Sequence, residues 1–180
     1  RERQHRERLP RLARPDLTVL PVAAVYGANA SGKSNLFRAL AFARKLVVEG
    51  TATDAPTGVE PFRLGRDTAA QPTRFRFEIL ADDVVYEFGF VVDAKAVREE
   101  WLLEVMATTE RLLYRRRDGK IEFGSAHAND AFLAFAFRGT RDNQLFLTNS
   151  VSQKVDHFKP VHDWFRDRLV FVSPDATFGR

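Results

Sequence analysis

The spacing of apolar and polar positions changes character several times along this chain. Val22 to Tyr26 is a short, almost continuous apolar run that stops at Gly27, which predicts a strand buried on both faces. From about Lys33 to Val48 the period lengthens. Leu36, Leu40, Ala43 and Val47 recur at helical spacing and predict one apolar helix face. Gly50, Pro56, Gly58, Pro61, Gly65 and Pro72 then punctuate a long connection.

Beyond it the period drops to two. Arg74 to Leu80 sets Phe75, Phe77 and Ile79 against Arg74, Arg76 and Glu78. Val84 to Val92 sets Tyr86, Phe88, Phe90 and Val92 on one face. Asp82-Asp83 reads as the turn between them. Glu100 to Ala107 and Arg111 to Arg116 are further strands, and Asp118-Gly119 is a hairpin signal returning into Ile121 and Phe123. The expectation is an antiparallel meander of four or five strands over 73–123.

The pattern then turns helical. Asn129 or Asp130 caps a helix over Ala131–Phe137, and Val155 to Arg168 forms a second, with Phe158, Val161, Trp164 and Phe165 on one face and Pro160 shortening its start. Leu169 to Val172 is a short apolar return strand ended by Ser173-Pro174. Residues 1–16, basic and holding Pro10 and Pro15, read as a loose lead-in or a broken helix.

Composition narrows the classes. Hydrophobic residues make up 44% and charged residues 29% of 180, a globular balance. No apolar run approaches the length of a membrane span, and the basic start is followed by no signal-peptide core. There is no cysteine, which removes disulfides, thiolate zinc sites and cysteine nucleophiles, and suits a cytoplasmic location. The net charge of +4 permits an anionic partner without requiring one. The chain opens on Arg1 and its only methionine is Met106, so the expectation is a piece of a longer protein.

The chemistry concentrates in one place. Gly27-Ala28-Asn29-Ala30-Ser31-Gly32-Lys33-Ser34 fits G-x-x-x-x-G-K-[ST] between a strand and a helix, the Walker A phosphate loop. The two glycines let backbone N–H groups turn into one concavity, and the following helix adds its positive end. Lys33 is the catalytic candidate, placing a charge against the β- and γ-phosphates. Ser34 offers its hydroxyl to Mg²⁺, and Gly27 through Asn35 form the nucleotide-binding segment. ATP and Mg²⁺ are the implied cofactors.

Other candidates read as structural. His5, His127, His157 and His162 lack ligand spacing for a metal. Arg115-Arg116-Arg117 beside Asp118-Gly119 reads as a solvated hairpin tip, ahead of a nucleic-acid contact. The sixteen phenylalanines fall at core spacings, and Ser34 has no His–Asp pattern of a hydrolytic triad.

Gly27-x-Asn29-x-x-Gly32-Lys33-Ser34-Asn35 resembles the ABC-type ATPases that include chromosome-maintenance, double-strand-break repair and OLD-like proteins. Val25 to Leu36 resembles bacterial AAA ATP-binding proteins of the abortive-infection and phage-defence type. So do Pro61-Phe62-Arg63-Leu64, Thr73 to Ile79, Tyr86-Glu87-Phe88-Gly89-Phe90, Glu100-Trp101-Leu102, Leu145-Phe146-Leu147-Thr148 and Trp164-Phe165. The resemblance covers roughly residues 20 to 173.

It implies an α/β P-loop NTPase of ABC-head type: strand, phosphate loop and helix at 17–50, a β lobe at 73–123, a helical segment and return strand at 129–173. It implies a glutamine after the β lobe that reaches the Mg²⁺ and attacking water. Gln153 is the candidate, ahead of Gln144 and Gln71. It also implies an apolar strand ending in Asp-Glu and a signature helix. Neither is visible, so both are expected beyond Arg180. The function implied is ATP hydrolysis by a head that homodimerises around nucleotide and switches a phage-defence or DNA-handling complex, with an effector nuclease or DNA as partner. The alternatives are a nucleotide-gated binding module with little turnover, and a chromosome or repair ATPase with a long coiled coil. No heptad run of that kind precedes Arg180.

Overall fold

Alternation over 73–123 produces a five-stranded antiparallel sheet in meander order β1-β2-β3-β4-β5. The structure, a computed structural model, describes residues 19, 22–61 and 71–172. The strands are β1 (Thr73–Ala81), β2 (Val84–Val92), β3 (Val97–Val105), β4 (Glu110–Arg117) and β5 (Lys120–Phe123). The β1–β2 and β4–β5 turns hold Asp82, Asp83, Asp118 and Gly119 at φ 49°, 62°, 51° and 70°. Two successive left-handed residues give the turn whose twist matches paired strands. The β2–β3 loop is fixed by Asp93, whose carboxylate accepts the N–H groups of Lys95 (2.8 Å) and Ala96 (2.9 Å).

One face of the sheet carries Phe75, Phe88, Phe90, Leu102 and Tyr114, as alternation predicts, and packs under the helices. β2 is also buried on its other face, at Val85, Glu87 and Gly89. At Glu87 and Gly89 the cause is Trp101. A Cβ on Gly89 would lie 2.1 Å from Cζ2 of the indole, so only glycine admits the ring. The indole Nε1 donates to Glu87 (2.8 Å), and the Arg74 guanidinium sits 4.8 Å above the ring. Gly89→Ala is therefore expected to cost about 1–3 kcal/mol through overpacking. A urea midpoint equal to that of the parent would refute this packing account.

The helical layer consists of α1 (Lys33–Val48), α2 (Ala131–Arg138), α3 (Phe146–Ser152), a 3₁₀ turn (Asp156–Phe158), α4 (Lys159–Asp163) and a π turn (Trp164–Arg168). Asp130, not Asn129, caps α2, accepting from Phe132 N–H (2.9 Å) and Leu133 N–H (3.1 Å). The single helix expected over Val155–Arg168 is three short pieces. Pro160, with no N–H to give, sits in the first turn of α4. The π turn aims Phe165 edge-on at Phe77 (5.0 Å) and Phe88 (5.7 Å).

Two sequence expectations fail. Val22–Tyr26 is not a strand, and neither is Leu169–Val172. Val22 is 79% and Val170 71% exposed. A doubly buried strand needs ladder partners on both sides, and among the described residues nothing pairs with either segment. The expected apolar face of α1 is buried at Ala43 and Val47, where Leu46 joins it, whereas at the loop end Leu36 is exposed. The expectations for residues 1–16, Phe62 to Leu64 and Ser173-Pro174 lie outside the described residues.

Candidate functional site

The loop from Gly27 to Gly32 enters α1 directly. Ala30 (φ 64°) and Gly32 (φ 89°) are both left-handed, and they turn the backbone toward the helix start. For an alanine that conformation costs roughly 1–2 kcal/mol. A strained non-glycine residue in a surface loop points to a task other than stability. The first helical bonds run from Asn35 and Leu36 N–H to Gly32 O, each 3.0 Å. The N–H groups of Lys33 and Ser34 therefore lie ahead of the ladder, unclaimed by the helix and aligned with its positive end.

Lys33 folds back over the loop. Its Nζ donates to Gly27 O (2.6 Å), Ala28 O (2.6 Å) and Ser31 Oγ (3.3 Å). These bonds are exposed, so a stronger acceptor can replace the carbonyls. Gly27 has its own constraint: a Cβ there would stand 2.7 Å from Ser31 Oγ. Ala28, Asn29, Ala30, Ser31, Ser34 and Asn35 all face solvent around this concavity. A cation over the loop, helix N–H groups beneath it and a hydroxyl on the next residue fit a phosphate chain with a divalent ion.

What holds α1 lies at its other end. Thr148 Oγ1 donates to Val47 O (2.8 Å), Phe42 packs on Phe75 (5.6 Å) and Arg44 Nη2 donates to Arg166 O (2.8 Å). α3 is held in turn by the sheet. Its N-cap, Leu145, has no capping side chain. The Glu100 carboxylate of β3 supplies the acceptors instead, taking Phe146 N–H (2.6 Å), Leu147 N–H (2.9 Å) and Tyr114 O–H (2.8 Å). Burial pushes the Glu100 carboxyl above its ordinary value of 4.5, against the pull of Arg116 and those donors. The Tyr114 hydroxyl is pushed well up by burial and by Glu100.

Arg116 was expected at a solvated tip. It is buried, donating to Gln144 O (2.7 Å) and Arg141 O (3.2 Å). Its strand position turns it inward while Arg115 and Arg117 face out.

The glutamines do not gather at the loop. Gln153 is exposed at the C-terminus of α3, its N–H bonded to Asn149 O (3.0 Å). Gln144 is buried beside Gly50, past the far end of α1, a helix roughly 24 Å long. Gln71 is exposed before β1. Among the described residues, no hydrogen bond joins any of the three to residues 27–35.

Sequence reasoning also missed a meeting of side chains. His127, Asp130 and His157 come together, contrary to the expectation that the histidines lack ligand partners. The H-x-x-D spacing of 127 and 130 was the available signal. The third member comes from a distant turn.

A glycine-bounded loop with a lysine over its carbonyls, opening into a helix packed on a sheet, has the form of a P-loop NTPase. A family model described as "AAA domain, putative AbiEii toxin, Type IV TA system" matches residues 22–179. The chain belongs to that family. AAA domains are P-loop NTPases, and ATP binding and hydrolysis, generally with Mg²⁺, are the chemistry of the group. No curated protein and no solved structure gives a significant match. None of the described helices is long and apolar enough to cross a membrane.

Proposed function

We propose that this chain carries the phosphate loop of an ATP-hydrolysing head of ABC type, OLD-like or SMC-like in kind. In this reading the head homodimerises around nucleotide in the cytoplasm and switches a phage-defence or DNA-handling complex. The observation that carries the reading is the geometry of Gly27–Ser34: two left-handed residues, free helix N–H groups and Lys33 poised over the loop. The family match supports the ATP chemistry, and the toxin–antitoxin description agrees with a defence role.

Each residue has a task. Gly27 through Gly32 give N–H groups to phosphate oxygens, with Ala28, Asn29, Ala30 and Ser31 setting the curve. Lys33 leaves Gly27 O and Ala28 O and donates to the β- and γ-phosphate oxygens. Ser34 is the hydroxyl ligand, and Asn35 borders the site from the first helical turn. Bound Mg²⁺, held by Ser34, would supply positive charge that offsets the charge developing on the phosphates. Gln153, which the resemblance sets at the Mg²⁺ and attacking water, ends a helix tied to the rear of α1 through Thr148, so in this proposal α3 must shift toward the loop for it to reach the metal.

The test, on the full-length protein, is a titration with ATP and Mg²⁺ followed by light scattering and a phosphate-release assay. Saturable binding and a doubled mass are the expected result. Binding without a mass change overturns the dimer. Binding and dimerisation without phosphate release select the nucleotide-gated module over the hydrolase.

A further inference from the structure

We infer that His127, Asp130 and His157 form a binding site for one divalent transition-metal ion of the Zn²⁺ class, separate from the phosphate loop. Their ligand atoms lie within 4.8 Å of one another. Three donors at about 2.0–2.1 Å around a tetrahedral ion stand roughly 3.4 Å apart, so small side-chain rotations close the set. Two imidazoles and one carboxylate are donors that such ions favour over Mg²⁺ or Ca²⁺.

The carboxylate is already oriented. Asp130 Oδ1 accepts Phe132 and Leu133 N–H at the start of α2, which leaves Oδ2 facing His157 Nε2 at 2.9 Å. Backbone donors of this kind behind a ligand are what holds a metal-binding carboxylate in place. The turn that carries His127 is fixed too, by His127 N–H to Gly124 O (2.8 Å) and Asp130 N–H to His127 O (3.0 Å).

An ion pair between Asp130 and His157 explains two of the three groups but not the third. The His127 ring lies 5.0 Å from that of His157 and edge-on to Phe158 at 5.5 Å. Neither of its ring nitrogens has a hydrogen-bond partner among the described residues. A shared ion gives it one. The neighbouring cation, Arg111, is already paired with Glu104. His157 is exposed, so an ion has a way in and a water can complete its coordination. The bound ion would join the turn after β5 to the 3₁₀ turn before α4.

The test uses the whole chain after chelator treatment. Calorimetry with Zn²⁺, and visible absorption with Co²⁺, should show one equivalent bound, with a rise in the thermal midpoint. His127→Ala and His157→Ala should each weaken Zn²⁺ binding by roughly tenfold or more, and abolish that rise. If His127→Ala does not fold, His157→Gln on the exposed side carries the same test. No stoichiometric step, or a step that survives loss of both histidines, overturns the site.

Discussion

Lys33→Ala is expected to lower ATP affinity by at least roughly a hundredfold while leaving the fold intact. The two halves of this expectation have different causes. A lysine reaching two phosphates makes two or more charge-assisted hydrogen bonds, each worth about 1.5–3 kcal/mol. Their loss multiplies through the dissociation constant. In the free protein the same side chain bonds only exposed acceptors, Gly27 O, Ala28 O and Ser31 Oγ, which water satisfies once it is gone. The change in folding stability should therefore stay within about 0.5 kcal/mol. Calorimetric ATP titration and a urea melt of the same variant check both halves. Retained affinity refutes the assignment of the loop. Lost affinity with lost stability shows instead that Lys33 holds the loop together.

Glu100→Ala should have the largest effect on the fold. It removes the acceptor of Phe146 N–H, Leu147 N–H and Tyr114 O–H inside the core and takes one of two negative neighbours from Arg116, leaving Asp142 Oδ1 at 3.9 Å. Breaking one side of a buried charged network costs about 3–5 kcal/mol. For a chain of this size that is a fall of roughly 6–20 °C in thermal midpoint. α3 and, through Thr148, the rear of α1 should loosen first. A fall of under 3 °C, on the order of 1 kcal/mol, would show that Glu100 does not cap α3.

The pH dependence has a definite sign. Glu100 has a folded-state pKa above its unfolded one, because burial disfavours the charge. Its contribution to stability is complete below pH 4.5 and is lost as pH rises through the folded value. The midpoint of the parent minus that of Glu100→Gln should therefore shrink as pH climbs from 4.5 toward neutrality. A difference that grows over that range contradicts the direction.

The sequence made the meander readable because each strand carries its own information: alternation says which face is in, and paired aspartates or Asp-Gly say where it turns. The phosphate loop was readable because its glycines and lysine are contiguous. α3 was not, since its cap is a glutamate far back in the chain. The resemblance singled out Gly89, Trp101, Glu100 and Phe165 without their roles. In space they are the seat of the indole, the indole itself, the cap of α3 and the wedge under β2. The two supposed core strands show the opposite error. Apolar runs report a wish to be buried, and whether a ladder exists to accept them is not a local property. The histidine pair failed likewise, because proximity across a fold has no spacing rule.

The meander order also bears on how the chain finds its fold. Every strand pair joins sequence neighbours through a short turn, so little loop entropy is lost before ladder bonds form. Glu100 and Phe146, by contrast, are 46 positions apart. Closing that loop pays off only when β3 and β4 already hold the carboxylate beside Tyr114 and Arg116. Topology thus makes the sheet the template on which the short helices after β5 acquire their ends.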